Sequence, residues 1–244
     1  MKAAAVDLRN GTLVAPRVRL PTPQPATPEA VAEVVAEVAR AAGWTGGALG
    51  CTVPARVRHG VVETASNIDP SWIGVRAAKR FRKALGPEAT VVSVLNDADA
   101  AGLAEMRWGA GRGETGTTLV VTFGTGIGSA LFVGRKLVPN TELGHVRIDK
   151  RIAEHMASDA ARQRDHLTWE RWARKRVQKV LAHYEFLFSP DRIIVGGGVS
   201  KPDKWALFGD LLKTKAALYP AALGNEAGII GAAFAARQLE RESA

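Results

Sequence analysis

Cysteine is nearly absent from this sequence: Cys51 is the only one in 244 residues. A lone thiol builds no internal disulfide framework and no cysteine-based zinc site. Its place in an apolar stretch gives it the part of a small buried hydrophobe, as suits a reducing cytosol. Long apolar runs are missing as well. No stretch approaches the ~18 residues that cross a bilayer, and residues 1–7 meet charge too early for a secretory signal. The resulting expectation is a soluble cytoplasmic protein. There is no short-period repeat and no low-complexity tail. Negative charge is scarce: 24 acidic residues face 33 basic ones, for a net charge of +9. Such a surplus favours polyanionic partners, among them nucleotides, polyphosphate, nucleic acid and anionic membranes. It is equally the character of an ordinary solvated surface.

What is present fits a globular α/β chain, with 46% apolar residues and 25 glycines. Asn10-Gly11 between apolar runs predicts a hairpin over residues 3–20. After a proline-rich connector at 21–28, Thr27 caps a helix with Pro28 at its first position. Val31, Val34, Val35 and Val38 give that helix one buried face, and Gly43 ends it. Strands are expected at 48–53, 61–64, 91–95, 117–123, 129–133 and 192–195, and helices at 77–85, 98–108 and 169–188. A last helix starts near Glu226, with Gly228 and Gly231 for close packing. Strands alternating with helices imply a mixed sheet.

Four motifs carry chemistry. Asn96-Asp97 sits where the 91–95 strand gives way to a helix. A carboxylate there can take a proton from a hydroxyl under attack, or it can cap the helix. Gly124-Thr125-Gly126-Ile127-Gly128 lies between two strands. It can offer a nest of backbone N–H groups to phosphate, with the Thr125 hydroxyl as an added donor, or form a plain tight hairpin. It is neither a P-loop nor a dinucleotide fingerprint. Glu142 and His145 flank Gly144 and can converge on one polyol, or belong to a surface turn. Gly196-Gly197-Gly198-Val199-Ser200 follows a strand, as a nucleotide-contacting loop does in an open α/β sheet.

Residues 162–179 hold Arg162, Arg164, Arg171, Arg174, Lys175, Arg176 and Lys179 against Asp165 and Glu170. They form a polyanion track or a solvated helix face. Trp169 and Trp172 among them are at helical spacing, which favours core positions over base stacking.

In this order, the motifs resemble the ROK (repressor, ORF, kinase) family of sugar kinases, and within it the actinobacterial polyphosphate glucokinase branch. The segments that carry the resemblance are 95–105, 119–130, 138–145, 59–62, 65–69 with 71–74, and 196–205. It implies an actin-like, ribonuclease-H-like fold of two α/β domains with a cleft between them: 1–96 completed by the helix 226–244, and 97–225. It also implies Asp97 as catalytic base, with Asn67, Asn96, Glu142 and His145 as glucose-binding residues. Gly124, Thr125, Gly126 and Gly128, with Gly196, Gly197, Gly198 and Ser200, become phosphate- and nucleotide-side positions. Mg²⁺, polyphosphate or ATP as donor, no zinc and a homodimer complete the implied set, with neither nucleic acid nor membrane as partner.

One departure stands out. Family members begin with a strand and an Asp-x-Gly-Gly-Ser/Thr loop, whereas residues 1–8 here align with a later segment. That alignment implies an open sheet edge, an aggregation risk. It also frames a second functional reading, a sugar-binding pseudokinase. A transcriptional repressor is the third, and would need a helix-turn-helix ahead of the first hairpin.

Overall fold

The computed structural model describes residues 1–65 and 68–243. They form two compact units, Met1–Ala104 with Glu226–Ala244, and Glu105–Asn225.

The first unit opens with β1 (Lys2–Ala3), β2 (Val6–Asp7), β3 (Thr12–Leu13) and β4 (Val18–Arg19). β2 pairs with β3 and β1 with β4, both antiparallel. Residues 2–7 and 12–19 thus run as one irregular hairpin. Its turn is set locally: Gly11 takes φ +71, and the Asn10 side chain accepts a hydrogen bond from Thr12 N at 3.1 Å. In α1 (Pro28–Ala41) the Thr27 hydroxyl accepts from Ala30 N at 3.3 Å. The buried face is Ala32, Val35, Ala36, Val38 and Ala39. Val31 and Val34 fall at its margin, because the alanines let the helix approach its neighbours more closely than the valine spacing alone predicts.

β5 (Gly47–Val53) follows, then the small hairpin β6 (Val57–Arg58) and β7 (Val61–Val62), α2 (Ala77–Leu85), β8 (Ala89–Asn96) and α3 (Asp97–Trp108). β5 and β8 pair in parallel. Among the described residues β5 has no strand on its other edge. Trp72 meets Phe81 edge-to-face at 5.8 Å in this unit's core. The Cys51 thiol is enclosed by protein, and burial pushes its pKa up to about 12.

Helix α9 (Ala227–Ser243) closes the unit by crossing both β5 and α3. A Cβ on Gly50 would lie 1.9 Å from Ala232 O, and one on Gly231 would lie 1.7 Å from Ala100 O. Gly231 therefore permits the close packing expected of it, whereas Gly228 faces open space.

The second unit contains β9 (Thr117–Phe123), β10 (Ile127–Val133), β11 (Lys136–Val138), β12 (Arg147–Ile148), β13 (Arg151–Ile152), α4 (Ala153–Ala157), α5 (Asp159–Arg164), α6 (Trp169–Trp172), α7 (Gln178–Phe188), β14 (Arg192–Gly196), α8 (Pro202–Trp205) and β15 (Ala217–Pro220). Its five-stranded sheet has the order β11-β10-β9-β14-β15. The β9–β10 and β10–β11 pairs are antiparallel, while β14 is parallel to both β9 and β15. Leu119, Val121 and Phe123 alternate onto the face that packs against Trp172, Val180, Leu181 and Tyr184.

The helix expected over 169–188 is a continuous helical run with a π-helical turn at Ala173–Val177 joining α6 to α7. Trp172 is fully buried and donates from Nε1 to Ala157 O at 3.0 Å, so it is a core residue. Trp169 stacks on Phe208 and lies under the Arg162 guanidinium. Arg162, Arg164, Arg174, Arg176 and Lys179 are each paired with a carboxylate of the same unit. Arg162 and Arg176 are mostly covered, whereas Arg164, Arg174 and Lys179 are exposed.

Candidate functional site

The candidate residues fall in both units. In the first, β8 delivers Asn96 to the start of α3. Asn96 Oδ1 accepts from Ala98 N at 2.8 Å, and its Nδ2 donates to Ala55 O at 3.2 Å. Asn96 therefore caps the helix and ties it to the loop after β5. Asp97 Oδ1 shares the Ala98 N–H at 2.9 Å, and its side chain reaches solvent. Crowding by protein atoms raises the Asp97 pKa above the usual carboxylate range; the backbone hydrogen bond offsets this in part. Asp97 thus makes a capping contact through Oδ1 while the residue as a whole stays exposed. Asn67 lies outside the described residues.

In the second unit, the motifs gather at one end of the sheet. β9 and β14 are parallel neighbours with Gly196 opposite Thr122, so the 124–128 turn and the 196–200 loop leave their strands side by side. The carboxyl ends of parallel strands are where open α/β sheets bind ligands. In the first loop Gly126 serves space, since a Cβ there would lie 2.5 Å from Glu154 Oε2. None of Gly124, Gly126 and Gly128 has a positive φ, and a Cβ on Gly124 would meet nothing within 4 Å. Gly124 N closes the turn on Gly126 O at 3.0 Å. Among the described residues, the N–H groups of Thr125 and Gly126 donate to no backbone carbonyl. Gly197 does need its φ of +85, and a Cβ there would sit 2.5 Å from Phe123 O. Gly198 faces open space. Ser200 is buried and its hydroxyl donates to Gly197 O at 2.9 Å, which braces the loop.

The segment 141–145 folds back over the start of β10. Ser129 Oγ donates to Thr141 O at 2.6 Å and accepts from Leu143 N at 3.1 Å, while Tyr184 OH donates to Leu143 O at 2.7 Å. Gly144 presses so closely on Ile127 that a Cβ would lie 2.1 Å from its carbonyl oxygen. This places His145 between two carboxylates: Nδ1 is 3.4 Å from Glu142 Oε2 and Nε2 is 3.7 Å from Glu154 Oε1. Glu154, on α4, also accepts from Ile127 N at 3.4 Å and faces Gly126. It is the functional candidate that the motifs did not mark. Its sequence signal is only that of an acidic residue in a helix first turn. A Gly144→Ala variant is expected to push the 141–145 segment off Ile127, raising the KM for a sugar held by Glu142 and His145 about tenfold while the fold survives. An unchanged KM would show that this contact does not set the loop.

These features can bind an anion at the glycine loops and hydrogen-bond several hydroxyls with Glu142, His145 and Glu154. A model of the ROK family matches residues 1–163. The chain is 48% identical over 236 residues to the polyphosphate glucokinase of Mycobacterium tuberculosis, covering 96% of this chain and 86% of that protein. The solved inorganic polyphosphate/ATP-glucomannokinase of Arthrobacter sp. strain KM superposes with a TM-score of 0.90 at 47% identity, covering 98% of this chain and 94% of that one. A ROK family glucokinase from Streptomyces griseus, solved with glucose and AMPPNP, gives a TM-score of 0.77 at 26% identity, covering 96% and 94% of the two chains. The α/β architecture is accordingly the actin-like one of sugar kinases that the motifs implied. By its sequence over most of its length and by its fold, the chain belongs to the ROK family.

Proposed function

We propose that this protein transfers a phosphoryl group from inorganic polyphosphate or ATP to the 6-hydroxyl of glucose. One observation carries the reading: an open glycine turn and the Glu142–His145–Glu154 chain share one end of the second unit's sheet. The mycobacterial relative named for this activity, at 48% identity, supports it.

In this reading Glu142, His145 and Glu154 hold sugar hydroxyls, with Asn67 and Asn96 as further sugar contacts. The N–H groups of Thr125 and Gly126, with Gly198 opposite, cradle donor phosphates and gain strength because they are fixed beforehand. Asp97 takes the proton of the attacking hydroxyl as phosphorus is engaged. Magnesium belongs to such a donor. Mg²⁺ is usually held by one or two carboxylates together with substrate phosphates, not by an all-protein cage. Among the described residues no group of three or more His, Cys, Asp and Glu forms a cage. When bound, the ion neutralises phosphate charge. We place the enzyme in the cytoplasm as a homodimer. None of the described helices is long and apolar enough to cross a membrane.

The test is formation of glucose 6-phosphate with each donor at two ionic strengths. Both donors are expected to support turnover. The KM for polyphosphate is expected to rise more with salt than the KM for ATP, because a long polyanion makes more screened contacts. Glucose binding with no product from either donor would replace this reading by that of a sugar-binding pseudokinase.

A further inference from the structure

We infer that the π turn at Ala173–Val177 aims Tyr184 at the 141–145 segment, so that one helical run positions both arms of the Glu142–His145–Glu154 site. The inference rests on the sugar-binding reading of those three residues. It makes Tyr184 a positioning residue, one that acts through the groups that touch the sugar.

The first arm is α4, which carries Glu154 in its first turn. The helical run holds two carbonyls at its far end. Trp172 Nε1 donates to Ala157 O at 3.0 Å, and Arg176 Nη1, from inside the π turn, donates to Met156 O at 2.9 Å. The second arm is the segment that joins Glu142 to His145. Tyr184 OH donates to Leu143 O at 2.7 Å, and Ser129 Oγ accepts from Leu143 N at 3.1 Å. Side chains thus grip both backbone polar groups of Leu143. Tyr184 is fully buried, and burial, with the Glu154 carboxylate adding to it, raises the pKa of its hydroxyl. The group keeps its proton and remains a donor.

The π turn gives Tyr184 this direction. An α-helix turns about 100° per residue, so unbroken α geometry would put Tyr184 about 120° around the axis from Trp172. A π turn takes up one extra residue and removes about 100° of that offset. Trp172, Val177, Val180, Leu181 and Tyr184 are accordingly all buried in one cluster. Without the turn, Trp172 could keep its bond to α4 only by swinging Tyr184 away from Leu143. A buried tyrosine commonly finds some hydrogen-bond partner. This one finds it between two site residues, and needs a rare helix geometry to reach it.

The experiment compares the full chain with its Tyr184→Phe variant, first by hydrogen exchange and then with glucose. Loss of the hydroxyl is expected to speed exchange at the N–H groups of Leu143, His145 and Val146 about tenfold, because Ser129 then holds the segment without it. Glucose binding by calorimetry is expected to weaken about threefold to tenfold, the range one net hydrogen bond covers. The KM for glucose should rise with it, while kcat and the KM for the donor stay within about twofold. Deletion of Lys175, an exposed residue of the π turn, is expected to restore α geometry and weaken glucose binding at least as much. In that background Tyr184→Phe should add nothing, since the hydroxyl no longer reaches Leu143. Should the deletion not fold, Tyr184→Phe decides alone. Lower thermal stability with unchanged glucose binding would make Tyr184 a core residue only and overturn the inference. Unchanged exchange at Leu143, His145 and Val146, or further weakening in the deletion background, would overturn it too. A parent protein that binds no glucose would overturn the sugar reading, and this inference with it.

Discussion

Asp97→Asn is expected to lower turnover of glucose by roughly 10²–10⁴-fold, the usual contribution of a positioned general base, while glucose binding measured by calorimetry stays close to that of the parent protein. The fold should tolerate the change. The Asn side-chain oxygen can still accept from Ala98 N, and Asn96 already caps α3 by accepting from Ala98 N at 2.8 Å and Asp99 N at 3.4 Å. What is lost is a group that can accept a full proton. The same reading fixes a pH dependence. Desolvation raises the Asp97 pKa, and the base works only when deprotonated. Activity should therefore fall as pH drops through a value above the ~3.9 of an unperturbed aspartate, and the acid limb of kcat/KM should lie correspondingly high. Near-normal turnover in the Asn variant would remove Asp97 from the chemistry.

The largest stability effect is expected at Glu105, a carboxylate only 1% exposed on α3. Its Oε2 accepts from Ala110 N at 2.9 Å and Ala222 N at 3.1 Å, and its Oε1 accepts from Leu223 N at 2.8 Å. One side chain thus satisfies backbone donors from two loops distant in sequence. Gly109 is shaped around it, since a Cβ there would lie 2.0 Å from Oε2. Glu105→Ala removes the acceptor from three partly buried N–H groups, which together cost a few times the ~1 kcal/mol of an ordinary hydrogen bond. A loss of roughly 3 kcal/mol or more is expected, which lowers Tm by about 6–12 °C for a chain of this size. Glu105→Gln keeps the volume and one acceptor oxygen, so its loss should be smaller. Calorimetry of both variants checks the order. A Tm unchanged in the Ala variant would mean that water replaces the carboxylate without cost.

Some of this was legible from residue order and some was not. The Asn10-Gly11 turn, the Thr27 cap and the strand before Asn96 follow from neighbours within a few positions, and the structure has them. The valine face of α1 shifted toward its alanines because the helix packs closer than spacing alone conveys. The 169–188 helix gained a π turn, and its Arg174, Arg176 and Lys179 pair with Glu170, Asp165 and Asp149. Glu154 carried no motif, because its meaning comes from His145 and Ile127, nine and 27 positions earlier. Glu105 was equally silent, since two of its partners lie 117 and 118 positions away.

The sequence by itself determined the local chemistry: turns, caps, the glycine loops, the Asn96-Asp97 junction and the family they spell together. Those depend on dihedral preferences and on hydrogen bonds that close within a turn or two of chain. Only the tertiary structure decided which side chains share a site and which glycines are needed for space. The Gly50 and Gly231 contacts and the carboxylates around His145 arise where distant segments meet. Close packing between such segments is what no single stretch of residues encodes.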